Sequence, residues 1–136
     1  MSVAVGMRLP EWTLESVDPG PMKVYAALAR DPSPIHWDRS EVAARGLGDR
    51  LINQGPLSLG YVINMLLAWA GPVGLRALSA RFTAPVLDGH RVTAGGVVTA
   101  VRDGAGGQFA DCDVWLTRAD GVRAIEGTAT VLLPGA

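Results

Sequence analysis

The sequence contains few of the residues from which disulfides and metal sites are built. Its 136 residues include one cysteine and two histidines, so no disulfide can form within the chain and local spacing supplies no cluster of metal ligands. Cys112 lies in a run of alternating apolar residues, where a buried thiol is a commoner role than a nucleophile. The composition therefore predicts a protein of the reducing cytoplasm that binds no metal.

An excess of charge is also missing. The chain has 12 basic and 13 acidic residues, a net charge of -1, whereas proteins that bind nucleic acid or anionic membranes carry a basic patch. No glycine motif for nucleotide phosphates occurs either, and the glycine-rich stretch Gly104–Gly107 predicts a hairpin turn. We therefore expect no nucleic-acid partner and no cofactor.

Apolar residues make up 49% of the sequence, but no apolar run is long enough to cross a membrane. The best candidate, Gly55 to Ala70, has about 16 residues, whereas a spanning helix needs roughly 20. Ser58 and Asn64 also interrupt it. The segment predicts a buried core helix, with Asn53 as its cap and Pro56 in its first turn. The beginning of the chain lacks the apolar stretch of a secretory signal.

Shorter elements are predicted on both sides of a proline-rich loop. A helix begins at Pro19-Gly-Pro21, keeps its apolar residues on one face and runs out at Asp31-Pro32. Asp38 and Glu41 have the spacing of a capping box, which predicts a short helix over residues 42–45. A lead-in strand at residues 9–14 precedes both helices.

The sequence after Gly74 predicts strands separated by turns, at Leu75–Thr83, Arg91–Val101, Gln108–Thr117 and Val122–Leu133. In the third strand the apolar residues alternate and share one face, namely Ala110, Cys112, Val114 and Leu116. One buried face per strand is typical of an antiparallel sheet packed on one side. A buried helix followed by meandering strands predicts an α+β fold, with the sheet wrapped around the helix. We expect residues 1–136 to form a single domain.

Residues 25–38 hold the side chains best suited to acid–base chemistry. Asp31 and His36 stand five positions apart, with Pro32 and Pro34 between them. Each proline fixes its own φ and disfavours a helical conformation in the residue before it, so the link is a stiff loop past a helix end. Such a loop can hold a carboxylate and an imidazole around one water. On spacing alone, Asp31 can equally form an Asx-turn, with His36 a surface residue.

This stretch resembles the hydratase motif of the MaoC-like (R)-specific enoyl-thioester hydratases and dehydratases. The residues that form the motif here are Tyr25, Leu28, Asp31, Ser33, Pro34, Ile35 and His36. The run Pro34 to Asp38 is especially similar to actinobacterial (3R)-hydroxyacyl-thioester dehydratases of long-chain fatty acid elongation. Weaker similarity continues at residues 54–58, 69–72 and 81–86. The resemblance implies the hot-dog fold, which is the helix-wrapped sheet predicted above.

The resemblance also implies site residues. Asp31 and His36 would hold the catalytic water together, and the Gly55 amide at the helix start would donate to the thioester oxygen. Candidate supporting residues are Ser33, Gln54 and Ser58. The chain departs from the family at several of these positions. The family usually has Asn at the position of Ser33, Gly at that of Arg30, and commonly His-Gly-Met where this chain has Gln54-Gly55-Pro56.

Three functions stay open. The first is a lyase that reversibly hydrates trans-2-enoyl thioesters of coenzyme A or acyl carrier protein to (3R)-3-hydroxyacyl thioesters. The second is a hot-dog thioesterase, which commonly carries a carboxylate on the central helix; residues 54–70 contain neither Asp nor Glu. The third is a substrate-binding partner within a heterodimer. The resemblance implies a dimer, either of identical chains or with a related hot-dog subunit. Acyl chain, carrier and physiological direction are not specified by the sequence.

Overall fold

The computed structural model describes residues 2–134 and shows the helix-wrapped sheet of the hot-dog fold. Five antiparallel strands and three α-helices make up this part of the chain. In chain order the elements are β1 (Trp12–Leu14), α1 (Pro19–Ala29), a 3₁₀ helix (Pro34–His36), α2 (Arg39–Ala44), α3 (Gly55–Ala70), β2 (Leu75–Phe82), β3 (Val92–Gly104), β4 (Gly107–Arg118) and β5 (Arg123–Pro134).

The strand order across the sheet is β1-β3-β4-β5-β2. β3, β4 and β5 form the predicted meander, and the β3–β4 hairpin closes at the pair Gly104 and Gly107. β2 lies at the far edge and pairs with β5, so the prediction of a simple four-strand meander was wrong. Alternating apolar residues specify which face of a strand is buried, but they do not specify which strand becomes its neighbour.

The sheet curves around α3, which contacts all five strands. Val62, Met65 and Leu66 of this helix are almost completely enclosed. The predicted inner face of β4 is confirmed, since each of its four members is at most 1% exposed: Ala110, Cys112, Val114 and Leu116. Burial raises the pKa of the Cys112 thiol to about 11. This thiol therefore stays protonated near neutral pH and acts as a packing group.

The start of α3 differs from the prediction in one respect. Gln54 is the residue that precedes the helix, and no side chain caps it there. Asn53, the predicted cap, instead donates through Nδ2 to the side chains of Ser58 and Tyr61. Pro56 lies in the first turn, as expected. Among residues 2–134, no helix combines the length and apolar character needed to cross a membrane.

Candidate active site

Asp31 is positioned by the end of α1. Arg30 ends this helix in the left-handed conformation with φ of 52°, and the Asp31 amide donates to the Ala26 carbonyl at 2.9 Å. The Oδ1 atom of Asp31 accepts from the Ser33 amide at 3.0 Å. The Asx-turn considered from the sequence is therefore present, but it uses only one oxygen of the carboxylate. Oδ2 remains available for another partner.

That partner is His36, the last residue of the 3₁₀ helix. Its Nε2 lies 3.3 Å from Asp31 Oδ2, and the residue is 9% exposed. Nδ1 lies 2.6 Å from the Ile52 carbonyl oxygen. The alternative of a surface histidine was therefore wrong, because the loop folds onto the segment before α3. The structure brings the two predicted side chains together.

The contact with Ile52 decides which nitrogen of His36 carries hydrogen. A carbonyl oxygen only accepts hydrogen bonds, so Nδ1 must be the protonated nitrogen. In the neutral ring Nε2 is then a bare acceptor that faces a second acceptor, Asp31 Oδ2. A water that donates one hydrogen to each atom satisfies both, and an imidazolium binds the carboxylate directly. The pair is therefore suited to hold a water and to take a proton from it.

The segment that carries Ile52 is held on several sides. The Ile52 amide donates to the Ile35 carbonyl at 3.0 Å, next to His36 in the chain. One residue earlier, the Leu51 amide donates to Oδ2 of the buried Asp88 at 2.7 Å. The same oxygen accepts from Arg39 Nη2 at 3.0 Å. This network explains how an irregular segment can present the Ile52 carbonyl in a fixed place.

Gly55 lies three residues after Ile52, at the first turn of α3. Its amide has no protein acceptor in the part of the chain that the structure describes, and it lies at the positive end of the helix dipole. A side chain here would crowd the Phe82 ring, because a Cβ would lie 3.1 Å from it and the ring would have to shift slightly. Gly55, Ser58 and Phe82 line a cavity of about 370 Å³ together with Asn53, Val86 and Ile125.

The three candidate supporting residues contact the site in different ways. Ser33 acts through its backbone amide, which completes the Asx-turn at Asp31. Gln54 is 2% exposed, and its Nε2 donates to the Met22 carbonyl of α1 at 2.8 Å. Ser58 is buried and lines the cavity beside Gly55. Sequence reasoning gave Asn53 the wrong role, because a cap and a core amide look alike in the sequence. It gave Phe82 no role, because Phe82 contacts Gly55, which is distant in the chain.

Two other concave regions lie apart from this cavity. A groove of about 550 Å³ between α1 and α3 is lined by Gly20, Pro21, Val24, Tyr25, Leu28 and Leu57. Leu28, predicted on the apolar face of α1, is 80% exposed in this groove. A second cavity of about 470 Å³ opens on the outer face of the sheet around Trp115 and contains none of the predicted site residues. Within residues 2–134 no group of three or more His, Cys, Asp or Glu side chains is arranged to hold a metal ion.

The sequence profile described as "MaoC like domain" matches residues 7–117. The chain belongs to the MaoC-like family. The motif that predicted this membership, residues 25–36, lies inside the matched region. No curated protein sequence matches the chain at a significant level.

Solved structures of MaoC-like proteins share the fold over nearly the whole chain. An (R)-hydratase from A. caviae involved in PHA biosynthesis is 27% identical, with a TM-score of 0.85 and 98% of each chain covered. A chain of the ChsH1-ChsH2 complex from Mycobacterium tuberculosis is also 27% identical, with a TM-score of 0.80, covering 97% of this chain and 99% of that one. The R-hydratase PhaJ1 from Pseudomonas aeruginosa, at 21% identity and a TM-score of 0.82, shows the fold alone.

The burial of His36 generates a stability prediction. His36→Ala removes the donor to the Ile52 carbonyl, and we expect the free energy of unfolding to fall by about 1–3 kcal/mol. His36→Asn keeps an N–H donor near the position of Nδ1 and should retain most of that stability. Urea unfolding of both variants, followed by circular dichroism, measures the difference. Equal losses in the two variants would show that the hydrogen bond to Ile52 is not the stabilising contact.

Proposed function

We propose that this MaoC-like protein reversibly adds water to trans-2-enoyl thioesters, giving (3R)-3-hydroxyacyl thioesters. The observation that carries the proposal is the pairing of His36 Nε2 with Asp31 Oδ2 at 3.3 Å, with Nδ1 committed to the Ile52 carbonyl. This arrangement leaves two neighbouring acceptors for one water. Neither acceptor needs a metal or an organic cofactor to act on it.

The proposed reaction proceeds through that water. Nε2 of His36 takes a proton as the water oxygen forms a bond to C3 of the substrate. The electrons of the C2–C3 double bond move towards C1, and negative charge develops on the thioester oxygen. Asp31 stabilises the imidazolium while it exists. The His36–Asp31 pair then returns a proton to C2 as the thioester carbonyl forms again, so the net change is addition of one water.

The developing charge needs a donor, and Gly55 is our proposed donor. Its amide is free of protein acceptors among the described residues, and the dipole of α3 favours negative charge at that end. The cavity beside it is largely apolar beyond Asn53, Gly55 and Ser58. The apolar groove along α1, the helix that ends just before Asp31, supports an acyl chain as the apolar part of the substrate.

Similarity to known structures supports this function over the alternatives. The A. caviae protein is named as an (R)-hydratase and is alike over 98% of this chain. A thioesterase with its carboxylate on the central helix is disfavoured, because α3 contains no acidic residue. A partner-subunit role is the second candidate, since one structural neighbour is part of the ChsH1-ChsH2 complex. The Asp31–His36 pair favours a catalytic chain.

The first kinetic prediction is that Asp31 and His36 act as one unit. Asp31→Asn removes the charge that stabilises the imidazolium, and His36→Asn removes the base while keeping a donor for Ile52. Each should lower kcat for hydration of crotonyl-CoA by about 10²–10⁴. Because either change disables the shared water, the double variant should be little slower than the poorer single one.

The four proteins are compared by loss of enoyl absorbance, with free thiol followed separately to detect hydrolysis. Circular dichroism and the thermal midpoint serve as folding controls. Near-normal rates in either single variant, or losses that multiply in the double variant, would exclude the proposed dyad. If the wild type released free thiol in step with the change in absorbance, the substrate would be hydrolysed and not hydrated. That result would favour the thioesterase.

A second prediction concerns Gly55. Gly55→Val places a branched side chain beside the proposed donor and should lower kcat/KM for crotonyl-CoA. The same side chain would meet the Phe82 ring, so Phe82→Ala and the double variant are the matched controls. If kcat/KM stays low in the double variant, the effect belongs to the Gly55 amide as donor to the thioester oxygen. Recovery to the Phe82→Ala rate would instead assign it to displacement of the Phe82 ring.

A third prediction is that the protein is at least a dimer. β2 is an edge strand of the sheet, and an unpaired edge is commonly paired with that of a second subunit. Light scattering should give at least twice the mass of one chain at micromolar concentration. A fully active monomer would contradict this expectation, and an inactive dimer would favour the partner-subunit role, with activity appearing when a related hot-dog subunit is added.

A further inference from the structure

A polar cluster of Asn53, Ser58 and Tyr61 lies at the start of α3 and was not used in the proposed reaction. Nδ2 of Asn53 donates to Ser58 Oγ at 3.0 Å and to the Tyr61 hydroxyl at 3.1 Å. Both hydrogens of the amide are thereby used. Oδ1 of Asn53 is buried and has no partner among the described residues. A half-satisfied amide of this kind is costly in a core and calls for a functional explanation.

The hydroxyl of Ser58 is the group that this arrangement leaves available. It accepts from Asn53, and no acceptor for its own hydrogen is found in the described structure. A helical serine commonly donates to the carbonyl four residues earlier, but here the Gln54 carbonyl accepts only from the Ser58 amide. Ser58 is 4% exposed and lines the 370 Å³ cavity. Its free O–H is therefore in contact with the space where a ligand would enter.

Ser58 and Gly55 also have the right relative placement. Residues three apart on a helix lie on one face, with about 5–6 Å between their Cβ positions. Both residues line the same cavity, and each carries a hydrogen-bond donor without an acceptor among the described residues. A single thioester oxygen between them can accept from both.

We propose that the Ser58 hydroxyl is a second donor to the thioester oxygen, and that Asn53 positions it. This inference rests on the proposed function and names a further catalytic residue for it. Donation from Asn53 fixes Ser58 Oγ as an acceptor on one side, which directs its hydrogen away from Asn53. A hydrogen bond received by a hydroxyl also strengthens the one that it donates. Two donors then share the charge that develops on the substrate.

The kinetic test is Ser58→Ala, with Asn64→Ala as the matched control. Asn64 is an exposed polar residue of the same helix, and it does not line the cavity. Ser58→Ala should lower kcat for crotonyl-CoA on the order of 10²-fold, with little change in KM, because the lost bond strengthens in the transition state. Asn64→Ala should keep kcat. A kcat within twofold of wild type for Ser58→Ala would overturn the proposal.

The positioning role is tested with Asn53→Asp. Both oxygens of the new carboxylate accept, so Ser58 would donate to it and no longer to the substrate. We expect a loss of kcat at least as large as in Ser58→Ala, and no multiplication of the two losses in the double variant. Multiplied losses, with thermal midpoints unchanged, would show that Asn53 does not act through Ser58.

A second readout does not depend on turnover. Bound 2,4-hexadienoyl-CoA absorbs at longer wavelength when its thioester oxygen is polarised by donors. The Asp31→Asn variant suppresses hydration and serves as the background. Adding Ser58→Ala to it should reduce the wavelength shift of the bound ligand. An unchanged shift would overturn the donor role. A polarised ligand with no hydration of any enoyl thioester by the wild type would refute the proposed function while supporting the donor. Absence of both binding and turnover would refute both.

Discussion

The hydrogen bond between His36 Nδ1 and the Ile52 carbonyl is the contact on which the candidate site depends. It selects one tautomer of the imidazole, and the selected tautomer turns a bare Nε2 towards Asp31. Without this contact the ring could equally present a hydrogen to the carboxylate and would then hold no water between them. A backbone carbonyl thus determines the chemistry of a side chain that lies sixteen residues away in the sequence.

The same contact joins two parts of the chain with different tasks. The loop after α1 carries the groups that we propose exchange protons, and the segment after Ile52 leads into the amino end of α3, the positive end of the helix dipole. Asp88 holds that segment through the Leu51 amide and is itself neutralised by Arg39. A buried carboxylate with both a charged and a backbone partner is a stable anchor. The irregular segment before α3 is therefore held in a fixed place.

The sequence predicted the elements of the fold better than their mutual arrangement. The extent of α3 follows from its apolar composition and from Pro56 in its first turn, and the inner face of β4 follows from alternating apolar residues. Both signals are local. The place of β2 beside β5 depends on contacts between distant residues, and no local pattern encodes it. At the site, the residue types at positions 31 and 36 were readable from the motif. The burial of His36 was not, because it depends on Ile52, and Asn53 was misread because a cap and a core amide share one local signature.

Gln54 links the two helices that flank the candidate site. Its Nε2 atom donates to the Met22 carbonyl, so a buried hydrogen bond connects the first half of α1 to the residue immediately before Gly55. Asp31 follows α1 directly, and its own amide is bonded to that helix through Ala26. The proposed catalytic carboxylate and the amino end of α3 are therefore linked through α1 by hydrogen bonds. A displacement of one would strain the contacts of the other, so the positions of the two parts of the candidate site are coupled.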